Sequence, residues 1–364
     1  MAWTLLIVSA LAILIAAAIY MTRAVGRFRL IGEIDNKRKR RLVSFGILAF
    51  LFLLCTLLLS FINAVAVFLH ATFFFLFTGL VVRLVEKRRG RSFRINWQGW
   101  IALPITTVYL LIAAYCCFHV WQTEYTLQSD KLSAPVRIAM ISDVHLNTTF
   151  DGEGFAAHLE TIREQQPDLL LVVGDFVDDG TRREDMIRAC AALGSVEAPY
   201  GVWFSYGNHD RGYRAGNDFS WQELEQELTK NSVRILEDEI AYAGELCIVG
   251  RADKRTQGRK ELAELLEGVD SEKYIVVMDH QPSDYARSSE TFADLVVSGH
   301  THGGQLFPIT FLGEWLGMND RTYGYEKRGN VNFIVTSGIS NWALYFKSGT
   351  TAEYVLIDVT PEDA

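Results

Sequence analysis

Five short apolar runs in this chain break off into residues that bind metals or move protons. Asp143-Val144-His145 follows 136–142, Gly174-Asp175 follows 168–173, and Gly207-Asn208-His209-Asp210 follows 202–206. Asp279-His280 follows 274–278, and Gly299-His300-Thr301-His302 follows 294–298. Each piece alone is weak. Asp-x-His after a strand arises by chance, and Gly-Asn-His-Asp reads equally well as a turn with Asn in the left-handed conformation. His300 and His302 point to one side only on an extended backbone, and a lone His280 is most simply a core histidine. Together, in this order and each at a strand end, they form a constellation. Its mixture of carboxylates and imidazoles suits Mn, Fe or Zn rather than Ca, which prefers an all-oxygen shell. Asp143, His145, Asp175, Asn208, His280, His300 and His302 are too many for one tetrahedral ion and enough for two. Two divalent ions about 3.5–4 Å apart, bridged by a carboxylate, perform in-line displacement at phosphorus. They acidify a shared water, hold a phosphate oxygen and stabilise the developing charge.

Such a set needs elements that deliver it to one place. The runs are continuously apolar, as strands buried on both faces are. Helical spacing lies between them at 155–165, where Phe155, Leu159 and Ile162 share a face, and at 184–193, 221–230 and 261–266. Further strands are expected at 233–236, 240–243, 245–249, 331–336 and 353–359. Strands alternating with helices indicate an α/β layer architecture, in which ligands gather beyond the carboxyl ends of the strands.

Charge divides the chain in two. Residues 1–125 carry 14 Lys and Arg against 4 Asp and Glu, whereas 126–364 carry 21 against 39. The acidic part would repel a phosphate backbone, so nucleic acid is not an expected partner. Cys55, Cys116 and Cys117 lie in apolar runs, and Cys190 and Cys247 read as buried small hydrophobes rather than a disulfide.

Residues 1–125 read as a transmembrane region and 126–364 as the catalytic domain. Spans are expected at about 2–21, 42–61, 64–84 and 100–121, the first a retained helix because no basic residue precedes it. Eight basic residues, including the run from Lys37 to Arg41, separate spans one and two, and five from Lys87 to Arg94 separate spans three and four. The positive-inside rule puts both loops in the cytoplasm and the acidic domain outside it. Only His70 and His119 are ionisable groups of the kind that mark a transport pathway, so the spans read as an anchor.

The motifs at Asp143, Gly174-Asp175, Gly207 to Asp210, His280 and Gly299 to His302 resemble, in order, those of the calcineurin-like metallophosphoesterase superfamily. The segments 141–146 and 298–305 are similar to its membrane-anchored branch, which includes one type of UDP-2,3-diacylglucosamine pyrophosphatase of lipid A synthesis. The resemblance implies a four-layer αββα sandwich with two divalent metal ions. It implies that Asp143, His145 and His302 hold one ion, that Asn208, His280 and His300 hold the other, and that Asp175 bridges. By the same resemblance His209 is catalytic rather than a ligand, protonating the leaving oxygen or stabilising the transition state. Asp210 either orients that imidazole or caps the following turn. The chain departs from the family at Ala343 to Lys347, where relatives often carry Pro-x-Arg. If Lys347 replaces that arginine, a bidentate phosphate contact becomes a point charge. Asp279 stands where a small residue is usual and reads as an acceptor for a ligand imidazole.

Arg211, Tyr213 and Arg214 are either headgroup contacts or solvated turn residues. The apolar stretch 306–316 either lines an acyl groove and dips into headgroups or packs inside the domain. The expected activity is hydrolysis of a phosphate ester or pyrophosphate by metal-activated water, on a phosphorylated small molecule or an envelope lipid, from a bacterial cytoplasmic membrane. A cytoplasm-facing UDP-2,3-diacylglucosamine pyrophosphatase and a catalytically inactive phospholipid sensor are the alternatives. The loop charges oppose the first, and the complete ligand set opposes the second.

Overall fold

A computed structural model describes residues 2–211 and 218–362. Two compact units divide the chain, Met1–Ala113 and Ala114–Ala364.

The first unit holds α1 (Ala2–Val25), α2 (Arg29–Gly32), α3 (Lys37–Leu58), α4 (Phe61–Arg89) and most of α5 (Trp97–Phe118). Of these, α1, α3, α4 and α5 are long and apolar enough to cross a membrane. Their bounds differ from the apolar runs for reasons of capping. The helix α3 begins inside the basic run because the Asn36 side chain accepts from the Arg38 and Lys39 amides. The helix α4 starts at a Ser60 cap, and Lys87, Arg88 and Arg89 fill its last turn before Gly90 adopts a left-handed C-cap. A polar knot joins α1, α4 and α5. Gln98 Nε2 donates to Tyr20 Oη at 2.6 Å and to the Phe75 carbonyl at 2.7 Å, and Gln98 Oε1 accepts from Arg27 Nη1 at 2.9 Å. His70 contacts the Ala66 carbonyl through Nδ1 at 2.7 Å and stacks on Tyr109.

The second unit runs β1 (Val120–Ser129), β2 (Val136–Ile141), α6 (Gly152–Arg163), β3 (Leu169–Val173), α7 (Arg183–Gly194), β4 (Val202–Ser205), α8 (Trp221–Lys230), β5 (Arg234–Ile235), β6 (Glu239–Ala243) and β7 (Leu246–Gly250). It continues with α9 (Leu262–Leu265), β8 (Tyr274–Met278), α10 (Tyr285–Ser288), β9 (Leu295–Ser298), α11 (Leu312–Trp315), β10 (Gly324–Arg328), β11 (Val331–Val335) and β12 (Ala352–Pro361). One sheet has the order β1-β12-β2-β3-β4-β5 and the other β10-β11-β9-β8-β7-β6. The strand β1, whose Gln122, Thr123 and Glu124 break the apolar pattern, was not foreseen. It pairs in parallel with β12 and lies in the second compact unit, which begins at Ala114.

Alternation along the strands builds the layers. Ile138, Met140, Leu169, Leu171 and Val173 face the second sheet and meet Ile248, Val276, Met278 and Val297. Ala139, Ile141, Leu170 and Val172 face Phe155, Leu159 and Ile162 of α6 and Met186, Cys190 and Leu193 of α7. Beyond the second sheet, Val249, Ile275 and Val277 pack on Leu262, Leu265 and Tyr285 of α9 and α10. The result is a mixed αββα sandwich. Parallel pairing of β2 with β3, β3 with β4, β7 with β8 and β8 with β9 brings the carboxyl ends of these strands to one edge.

Candidate metal centre

At that edge the chain turns sharply, and the backbone is strained where the candidate ligands sit. Asp143, His145, Asp175, His300 and His302 all have positive φ, between 39° and 70°. Side chains rarely accept this region, and such outliers gather at functional sites. The turns need small neighbours: a Cβ on Gly299 would overlap Ser142 Oγ and Asp143 Oδ2, and one on Gly207 would overlap Asp175 Oδ1. Cross-links hold the loops together. His300 N donates to Asp143 Oδ2 at 2.9 Å, His209 N to Asp175 Oδ1 at 2.8 Å, and His145 N to the Asp175 carbonyl at 3.1 Å.

Among the described residues, three groups of donor atoms form, each with its atoms within 4.8 Å of one another: Asp143, His145 and His302; Asp175, His280 and His300; and His145, Asp178 and His209. Asp175 Oδ2 lies 3.0 Å from His280 Nε2 and 3.7 Å from His145 Nε2, between the first two groups. Asn208 Oδ1 and His145 Nε2 are buried without a hydrogen-bond partner among the described residues. Buried polar atoms are seldom left so. These converge on the place where cations would sit, with the donor set that Mn, Fe or Zn accept, so the residues fit a pair of divalent ions. His280 Nδ1 lies 2.9 Å from the Val173 carbonyl, a contact that makes Nδ1 the protonated nitrogen and turns the Nε2 lone pair inward.

Electrostatics point the same way. Burial opposes charge on Asp175, but His280, His145 and His209 outweigh it and hold the carboxyl well below its usual range. Burial likewise opposes protonation of His280, yet Asp175 and Asp143 raise its pKa. Burial, and then the charge of His280, lower His300 to about 3, which keeps its ring neutral as a ligand must be. With His300 and His302 held neutral, His280 is the ring whose raised pKa lets it offset the buried Asp175, a positive charge that a bound cation would supply instead.

His209 is half-buried at the rim. Its Nδ1 lies 3.0 Å from Asp178 Oδ1, and its ring lies 5.0 Å from His145 and 5.8 Å from Trp342, centroid to centroid. Burial disfavours the charged ring, but the Asp178 contact and the charges of Asp175 and Asp178 raise its pKa. Asp178 orients this imidazole, a role the sequence reading offered to Asp210. The signal was present in Gly174-Asp175-Phe176-Val177-Asp178, a second acid three residues beyond the first. Asp210 instead accepts the amides of Asp175 at 2.9 Å, Phe176 at 2.7 Å and Gly207 at 2.6 Å, clamping two ligand loops together.

Other expected contacts lie elsewhere. Lys347 is fully buried, its Nζ donating to the carbonyls of Ser337 at 2.5 Å and Ser340 at 3.2 Å, so it cannot touch a substrate. Arg211 pairs with Glu237 and lies over the rings of Tyr206 and Trp221. Tyr213 and Arg214 lie outside the described residues. Asp279 does not accept from a ligand imidazole: Arg251 at 2.8 Å and Arg259 at 2.6 Å claim its carboxylate.

Residues 136–304 match the family model described as calcineurin-like phosphoesterase. With the sandwich fold and its donor-lined edge, this match indicates a metallophosphoesterase domain in the second unit. An uncharacterised metallophosphoesterase of Campylobacter jejuni is 27% identical, covering 78% of this chain and 75% of the relative. A Danio rerio protein described as a transmembrane protein with a metallophosphoesterase domain is 28% identical over 62% of this chain. This chain spans 64% of the length of a Helicobacter pylori relative and 54% of the Danio rerio one. A solved dimetal phosphatase from Danio rerio aligns over 55% of this chain at 11% identity and a TM-score of 0.34.

Proposed function

We propose that this chain is a membrane-anchored, dinuclear-metal phosphoesterase that cleaves a phosphate ester or pyrophosphate of a membrane lipid. In this reading the catalytic unit stands outside the cytoplasm. The observation that carries the chemistry is Asp175, one of whose carboxylate oxygens lies between two groups of ligating atoms. Asp143, His145 and His302 would hold one ion and Asn208, His280 and His300 the other, with Asp175 shared. The ions, when bound, supply an acidified water and Lewis-acid contacts to a phosphate oxygen.

The chain's own residues do the rest. The Gly207 to Asp210 turn sets His209 above the metal edge, and Asp178 holds Nδ1, so Nε2 faces the leaving oxygen. Water oxygen bonds to phosphorus, the bond from phosphorus to the leaving oxygen breaks, and His209 donates the proton that oxygen takes up. The orientation rests on basic residues concentrated in the loops 23–41 and 87–94. Hydrolysis of bis-p-nitrophenyl phosphate with added Mn tests the activity. The wild type should exceed His209→Ala by about 10²–10⁴-fold in turnover. Equal rates would favour a phosphate-binding protein without catalysis.

A further inference from the structure

The loop after the last candidate ligand is apolar and turned outward. Trp315 is 73% exposed, Met318 69% and Leu316 65%, with Phe307, Ile309 and Phe311 also exposed. Elsewhere in the second unit, apart from the end of α5, no large apolar side chain among the described residues exceeds 49%. The loop is nevertheless ordered. Met318 N donates to the Gly313 carbonyl at 2.8 Å, and Glu314, the only charged residue in 306–318, accepts the Thr322 amide at 3.1 Å. Its apolar side chains are thus presented on a built turn, with the one carboxylate engaged by the backbone.

Two attachments say what covers it. At its root, Gln305 accepts the Ser348 amide at 2.8 Å through its carbonyl, and Gln305 Nε2 donates to the Trp342 carbonyl at 3.3 Å. Trp342 is the ring beside His209, so loop and catalytic rim are joined. On the other side of the Trp342 segment, Tyr345 meets Phe118 at 5.9 Å between centroids, and the Leu344 carbonyl accepts from Cys117 Sγ at 3.6 Å. Cys117 and Phe118 form the last turn of α5, where Tyr115, His119 and Trp121 cluster. Aromatic clusters of this kind mark the point at which a helix leaves a bilayer. One short segment therefore touches both the emerging helix and the rim of the site.

We propose that 307–318 is a lip that docks in the interface of the membrane that α5 crosses, setting the mouth of the metal centre at headgroup depth. Trp315, Leu316 and Met318 enter the boundary between headgroups and acyl chains, as amphipathic surface elements do. The substrate class follows: a phosphate carried on a lipid of the same leaflet, reaching His209 past Trp342. This rests on the phosphoesterase reading, but its test does not depend on turnover.

The full chain is placed in phosphatidylcholine nanodiscs whose acyl chains are brominated either near the headgroup or near the chain end. The Trp315 signal is obtained as wild type minus Trp315→Phe. Bromine near the headgroup should quench that signal at least about two-fold more than bromine at the chain end. Equal fluorescence in brominated and plain discs would overturn the proposal. The Leu316→Ser, Met318→Ser double variant should keep soluble diester turnover and its melting temperature while Trp315 quenching falls. Loss of turnover at an unchanged melting temperature would instead make the loop part of the site and overturn the lip. If the wild type lacks diester turnover, the enzymatic reading falls while the quenching result still decides the lip.

Discussion

Asp178 holds the imidazole of His209 at Nδ1. Asp178 lies 3.0 Å from that nitrogen and 3.3 Å from His145 Nδ1, so a single carboxylate serves both the proposed proton donor and a candidate ligand. Replacing it by Asn keeps the shape and removes the charge. Asp178→Asn should cost about 10–100-fold in activity at saturating metal, the usual effect of disturbing a ligand's hydrogen-bond partner. Steady-state kinetics across a manganese titration would show whether any loss persists at saturation. Lys347 makes the opposite prediction. Its ammonium is buried against the carbonyls of Ser337 and Ser340, where burial lowers its pKa to about 8. Lys347→Met leaves those carbonyls unpaired at a cost of about 1–3 kcal/mol. The melting temperature should fall by several degrees while KM for a soluble diester stays put. A raised KM at unchanged stability would restore the substrate-contact role.

At the scale of the elements, the strand-and-turn edge depends on loops tied to helices. Asp185 near the start of α7 accepts from Gly152 N at 3.0 Å, Asn147 Nδ2 at 2.8 Å and Arg182 Nε at 2.7 Å, pinning α6 and the turn after His145. Burial opposes its charge, but these donors prevail and lower its pKa. A carboxyl whose pKa is depressed on folding adds stability above its unfolded pKa of about 3.9. That stability is lost as pH falls through the folded value. Asp185→Asn should therefore be less stable by about 1–3 kcal/mol at neutral pH, with the gap closing below about pH 4. Urea unfolding at several pH values measures this. The central strands were legible because both their faces are buried: 168–173 anticipated β3 and 274–278 matched β8. Edge strands were less so, since β1 and β10 alternate polar residues on an exposed face and carry no apolar run. The candidate ligands stand out because they follow strands directly. The partners of Asp279 and Lys347 could not, because Arg251, Arg259, Ser337 and Ser340 come from loops whose paths no local pattern reveals.

The whole molecule carries four helices apolar enough to cross a membrane ahead of the metallophosphoesterase domain. With both basic loops in the cytoplasm, a reporter folding only outside it, fused after the last residue, will be active. Activity of a reporter confined to the cytoplasm would reverse this orientation. Metal should also stabilise the globular unit, since it offsets the buried acids Asp143 and Asp175. An ion present at 100 times its dissociation constant adds about 2.7 kcal/mol per site, so chelation should lower the melting temperature measurably. The most direct test of the central claim is the metal content of the purified full-length chain after manganese loading, compared with that of Asp175→Ala. The wild type should hold two ions per chain and lose at least one when the shared carboxylate is removed. A wild type that binds no ion, or a content that ignores the substitution, would contradict that claim.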